Sequence, residues 1–95
     1  LDKALKLVPP DPMGWLLPAA LARHMEDLPR ARADIAEAVR RDPKAPDILI
    51  EAGNIAIMSG DVAGARKHWM AVTANAPDSR QARAAEKALA ENPAE

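Results

Sequence analysis

The 95-residue chain sets 13 Lys and Arg against 14 Asp and Glu, a formal net charge of −1, and has two Trp but no Phe, Tyr or Cys. Near-neutral charge without a basic stripe excludes an electrostatic footprint for nucleic acid, and the missing thiols exclude disulfides, thiolate metal sites and cysteine nucleophiles while suiting a reducing or an oxidising compartment equally. At this length one small domain is all that can bury a core, and with 48% hydrophobic residues that core is built from Ala, Leu, Ile, Val and Met, so its helices approach closely.

Taken in order, apolar residues at 1, 4, 5 and 8 form one helical stripe, and Pro9-Pro10 ends it because neither residue can donate the backbone bond that continuation needs. Asp11-Pro12 pairs a capping side chain with a preset φ and predicts a helix over residues 12–25. Pro18 cannot bond back to Gly14, which predicts a kink or a late start near Leu17. Trp15, Ala19, Ala22 and Met25 share one face of this helix, with Leu16 and Ala20 beside them.

Asp27 reads as the N-cap of the next helix, with Pro29 tolerable in its first turn. Ala31, Ile35, Ala38 and Val39 form its apolar stripe, and Arg30 with Asp34 and Glu37 with Arg41 are i,i+4 pairs on the wet side. Each such pair contributes about 0.2 to 0.5 kcal/mol. Asp42-Pro43 stops the helix, and Pro46 or Asp47 opens another that runs to Met58 with Leu49, Ala52, Gly53 and Ala56 on one face. Gly53 costs about 1 kcal/mol in a helix interior relative to Ala, which implies a neighbouring helix at close approach. Ser59-Gly60-Asp61 supplies a glycine stop and a cap, and a helix over 62–74 buries Ala65, Trp69 and Val72. After Pro77, Asp78 or Ser79 caps a final helix ending near Glu91, with Ala82, Ala85, Ala88 and Leu89 inward and Arg80, Arg83, Glu86 and Lys87 outward; residues 92–95 should fray.

The prolines set a period. Pro9, Pro43 and Pro77 fall at 34-residue intervals, and the residues between them keep register: Leu1, Ile35 and Trp69; Ala4, Ala38 and Val72; Asp27 and Asp61; Ala31 and Ala65; Ala22 and Ala56; Trp15 and Leu49. Such self-similarity marks a repeat architecture. By register, residues 1–9 are the second helix of a truncated repeat, 11–43 and 45–77 are complete units, and 78–91 is a polar capping helix; the chain reads as a fragment of a longer protein. The stripe of Leu1, Leu5 and Val8 then needs the parent chain, a partner or a second copy to cover it.

These residues resemble the tetratricopeptide repeat, a 34-residue pair of antiparallel helices. The matching positions are Trp15, Ala19, Ala22, Ala31, Ile35, Ala38 and Pro43 in the first full unit, and Leu49, Gly53, Ala56, Gly60, Ala65, Trp69, Val72 and Pro77 in the second. Departures are Pro18 where Leu is usual, Ala22 and Ala56 where Tyr is usual, and Ile35 for an aromatic. The resemblance implies an all-α fold, a right-handed α-solenoid of antiparallel helix pairs. It also implies a concave face lined by the first helix of each unit: Met13, Leu16, Ala20 and Arg23, then Asp47, Ile50, Asn54 and Ile57, then Gln81, Ala84 and Ala88. Family members that grip a peptide carboxylate use Lys and Asn at the places held here by Leu16, Ala20, Ile50 and Asn54, and only Asn54 fits that clamp. The face is apolar with a few polar points, suited to an amphipathic helix or an extended apolar segment. Alternatively, Leu16, Ile50 and Ile57 pack on neighbouring repeats, on a folded-back segment or on a second copy.

Other candidates give no chemistry. His24 and His68 lack a carboxylate set at helical spacing that would make a metal site, so both read as solvated or rim histidines. Ser59 and Ser79 sit at helix ends, where capping explains them, and no nucleophile with a paired base or Gly-rich phosphate loop is present. Trp15 and Trp69 read as core. Arg30, Arg32, Arg40 and Arg41 are interleaved with Asp34, Glu37 and Asp42, so their field is cancelled locally. The sequence thus reads as a non-enzymatic scaffold without cofactor or metal, binding a protein or peptide in its concave groove. The competing reading is a packing or oligomerisation element of a larger assembly protein, able to form a homodimer through its N-terminal helix. No apolar run approaches the roughly 20 residues that span a bilayer, and the opening residues lack the apolar core and cleavage site of a signal peptide; cytoplasm and periplasm stay equally open.

Overall fold

The computed structural model describes residues 13–94, apart from the side chains of Met13, Trp15 and Leu17. The expectations for residues 1–12 and for the ring of Trp15 lie outside these. Among the described residues five helices follow one another: α1 Met13–His24, α2 Leu28–Arg41, α3 Pro46–Met58, α4 Val62–Asn75 and α5 Arg80–Glu91. Helices α2 to α5 each start where a capping residue or proline dictates. The Asp27 carboxylate accepts from the Arg30 amide at 3.4 Å, that of Asp61 from the Gly64 amide at 2.9 Å, and the Ser79 hydroxyl from the Ala82 amide at 3.0 Å. Pro46 opens α3 without a side-chain cap. Ser59 is the C-cap of α3, and its hydroxyl donates back to the Ile55 carbonyl at 2.8 Å.

Helix α1 starts at Met13 and runs through Pro18, so the late start near Leu17 does not occur. Proline removes one donor there, while Ala19 and Ala22 anchor the same helix in the core. Met25, grouped with Ala19 and Ala22 by spacing, is 71% exposed, since the helix has ended at His24 and the chain is already turning.

Both inter-helix turns inside the units close in the same way. Asp27 donates its amide to the Ala22 carbonyl and Asp61 its amide to the Ala56 carbonyl, the long bond of a Schellman ending. Each turn has a residue in the left-handed region 34 positions from the other: Glu26 at φ 62° and Gly60 at φ 84°. Only the second turn has the residue that adopts this conformation freely.

Consecutive helices pack on one another, and α3 also touches α1 and α5, whereas α2 and α4 do not touch. The first helices of the units thus form one layer in mutual contact, and the second helices stand apart on the other side. A stack whose one layer is closed and whose other is splayed curves toward the closed layer. Helix α3 lies at the centre and is buried nearly all round through Ile48, Leu49, Glu51, Ala52, Gly53 and Ile55. Ile48, Ala52 and Ile55 join Ala19, Ala22, Ala31, Ile35 and Ala38 in one cluster, while Leu49 joins Ala65, Trp69, Val72, Ala82 and Ala85 in another. The alanine-rich interior brings backbones close. At Gly53, the position a Cβ would occupy lies 2.2 Å from Trp69 Nε1, so the Nε1 side of the ring packs against bare α3 backbone, which accounts for glycine inside a helix.

The chain's end is held. Arg66 of α4 donates to the carbonyls of Leu89 at 3.0 Å and Asn92 at 2.6 Å. Asn92 also donates its side-chain amide to the Ala88 carbonyl. The expected fraying therefore does not begin at Asn92: three bonds satisfy the end of α5, where orphan carbonyls would otherwise need water.

Candidate functional site

The inner face of α1, α3 and α5 consists of rows that follow the 34-residue register across the helices. One row runs from Leu16 through Ile50 to Ala84, a second from Ala20 through Asn54 to Ala88, and a third pairs Asp47 with Gln81. Leu16, Ala20, Ile50, Asn54 and Ile57 are half-buried, and Asp47 is exposed. Leu16 packs partly against the first core cluster, and Ile50 and Ile57 against the second. Each therefore joins neighbouring helices with part of its surface and presents the rest to solvent.

The polar positions differ in what they have left to offer. Arg23 of α1 is paired with Glu51 of α3 through Nε to Oε2, with Nη2 to Oε1 at 3.3 Å. Glu51 is 7% exposed, a charge kept in the interior by a two-point guanidinium contact. Gln81 of α5 donates its side-chain amide to the Asp47 carboxylate of α3. Two cross-helix ties thus lock the rows and use up Arg23 and Asp47. The Asn54 side chain has no hydrogen-bond partner among the described residues, so its amide remains available in the row of Ala20 and Ala88.

Reasoning from sequence missed Glu51. Its only signal was a lone carboxylate in the otherwise apolar run Ile48-Leu49-Ile50-Glu51-Ala52, one helical step off the face assigned to binding. A groove on the outer side was missed as well. It holds about 380 Å³ between the splayed α2 and α4, with Val39 and Arg32 on one wall, Ile55 of α3 as floor and His68 on the other wall. Burial pushes the His68 imidazole below its ordinary value, with a smaller push from Lys67 and a weak opposing pull from Asp61. His24 is exposed. Among the described residues no three His, Asp or Glu side chains come together as a metal site.

The arginines lie as their spacing implied. Arg40 and Arg41 both engage Glu37, the latter at 2.7 Å, and hold its carboxyl below the usual carboxylate range, the Arg40 hydrogen bond contributing most. Arg30 approaches Asp34 at 3.8 Å. This is a solvated, self-paired surface worth little to stability.

No helix among the described residues is long and apolar enough to cross a membrane. Compared with known proteins, residues 22–90 match a family model described as the tetratricopeptide repeat. No curated protein and no solved structure gives a significant match.

Proposed function

Because the chain belongs to the tetratricopeptide-repeat family, whose members are typically non-enzymatic scaffolds with protein partners, we propose that its inner face receives an apolar or amphipathic peptide or helix. The observation that carries this reading is the row arrangement on α1, α3 and α5. Leu16, Ile50 and Ile57 offer half-exposed aliphatic surface, flanked by Asn54, whose side-chain amide has no partner among the described residues. An apolar ligand face would complete the burial of the aliphatic side chains, and the Asn54 amide would meet a backbone or side-chain polar group that would otherwise be desolvated without a partner.

The mechanism is preorganisation. Arg23–Glu51 and Gln81–Asp47 fix the three inner helices relative to one another, so association orders the ligand and little of the scaffold. The test uses amphipathic peptides selected by display against the folded chain. Binding should shift amide resonances along one side of α1, α3 and α5 and be lost in Ile50→Glu and Leu16→Glu with helical circular dichroism retained. Peptides that bind both variants as well as the parent, or that shift the α2 and α4 resonances instead, would reject the inner face.

A further inference from the structure

The outer groove of about 380 Å³ has Ile35, Ala52 and Ile55 as its floor and half-buried Val39, Ala56 and His68 on its flanks. The charged side chains in its lining are Arg32 and Arg40 of α2 and Asp61 at the start of α4. We propose that this groove binds a medium-chain aliphatic carboxylate, its head on the Arg32 guanidinium and its chain laid along α2 over Ala36 and Val39.

The register explains why Arg32 is available. Its mate 34 residues on, Arg66, spends its guanidinium on the carbonyls of Leu89 and Asn92 at the end of α5. The positions 34 before those acceptors are Ile55 and Met58, at the end of α3. There Ser59 takes the guanidinium's place: the Ile55 carbonyl accepts the Ser59 amide at 3.0 Å and its hydroxyl at 2.8 Å, which fills both lone pairs. Arg32 is exposed and has no hydrogen-bond or charge partner among the described residues. The other lining charges are committed. Arg40 engages Glu37, and Asp61 accepts from the Gly64 amide at 2.9 Å, while burial favours the neutral form of the His68 imidazole. What the groove has left to offer is therefore one guanidinium beside aliphatic surface, the complement of a carboxylate with an apolar tail.

Size selects the ligand. Three turns of α-helix about 10 Å across fill on the order of 1,300 Å³, and even half of that exceeds the groove. A small molecule fits it, since such sites run from about 300 to 1,000 Å³. From Arg32 to Arg40 the helix rises about 12 Å at 1.5 Å per residue. An extended aliphatic chain advances roughly 1.3 Å per carbon, from C–C bonds of about 1.5 Å, so about eight to ten carbons span that length.

Decanoate, titrated into the isotope-labelled full chain below its micelle-forming concentration, tests the assignment. It should shift the amides of Ala36, Val39, Ala56 and His68, and bind about tenfold more tightly than decanol, which keeps the tail and lacks the charge. Affinity should rise roughly fourfold per CH₂ from hexanoate to decanoate. Arg32→Gln should reduce decanoate to the affinity of decanol, and Ala36→Trp, at an exposed position of the wall, should block both while helical circular dichroism is retained. Equal affinity for decanoate and decanol, or decanoate binding indifferent to Arg32→Gln, would overturn the proposal. So would shifts confined to the inner face of α1, α3 and α5, or no binding at about 1 mM, the weak end of specific association. The inner face and its peptide ligand play no part in these readouts.

Discussion

Gly53→Ala reverses the usual effect of filling a helix glycine. In an exposed helix interior the change stabilises by about 1 kcal/mol, because alanine restricts the unfolded chain and suits the helix. Here the new methyl carbon would lie 2.2, 2.5 and 2.8 Å from Nε1, Cδ1 and Cε2 of Trp69. All three distances are far inside van der Waals contact, and the ring, 1% exposed, is enclosed by Leu49, Ala65, Val72, Ala82 and Ala85. Either the ring or the α3–α4 separation must shift. Overpacking of this kind costs about 1–3 kcal/mol and occasionally more, and with three ring atoms violated the upper end applies. Subtracting the propensity gain leaves a net loss of about 2 kcal/mol, or roughly 8–16 °C in melting temperature for a domain of this size. Urea denaturation followed by circular dichroism measures it directly, and a Trp69→Leu background isolates the cause. Once the indole is gone, Gly53→Ala should become neutral or stabilising, giving a coupling of at least about 2 kcal/mol across the cycle. A stabilising Gly53→Ala in the parent chain, or additivity within about 0.5 kcal/mol, would show that close packing is not why this glycine is there.

Glu26→Gly should raise stability by about 0.5–1 kcal/mol, since Glu26 holds the left-handed conformation that its register mate Gly60 adopts freely; unchanged urea denaturation would refute this. Arg23→Ala, which strands the buried Glu51 carboxylate, should cost more than Glu51→Ala, which leaves the more exposed guanidinium free to reach water. Equal losses would mean the pair is solvated in practice. Asp61→Ala should cost about 1 kcal/mol and Asp27→Ala less, because the cap bonds measure 2.9 and 3.4 Å; thermal melts compare the two. Burial lowers the folded-state pKa of His68, so its contribution is complete above the unfolded value of about 6.5 and is lost as pH falls through the window below it, where the unfolded chain binds the proton first. His68→Gln should flatten stability against pH in that window, and a curve identical to the parent's would dismiss the effect.

The period of 34 made most of this architecture legible, because proline, aspartate caps and glycine act through local backbone chemistry that sequence states directly. Asp27, Asp61 and Ser79 cap where they stand, and Gly53 marked the close approach before Trp69 was known to supply it. Properties set by the neighbour were harder to read. One-face patterning gave Leu49, Ala52 and Gly53, but α3 is buried on further sides through Ile48 and Ile55, as a helix with neighbours on both flanks must be. Asn92 reads as a frayed end from sequence because its restraint, Arg66, lies 26 residues away in a different helix. The inner face combines the two cases: its members and their rows follow from register, whereas what each has left to bind with depends on partners such as Glu51 and Gln81.

This division explains why a repeat fold is easier to read than its ligand. The register repeats the backbone signals from unit to unit, but it does not repeat the polar side chains. Asp47 meets Gln81 on the inner face, where the first unit has Met13, and Arg23 finds Glu51, which α5 replaces with Ala85. Each crossing from one inner helix to the next is therefore tied by a different pair, and the side chains those pairs leave unused, Asn54 above all, differ from row to row. Recognition by such a face has to reside in the positions where the units depart from one another. Substitutions that restore the repeat, such as Glu26→Gly, should act on stability, whereas on the proposed inner-face reading substitutions at Ile50, Asn54 and Ile57 should act on what is bound.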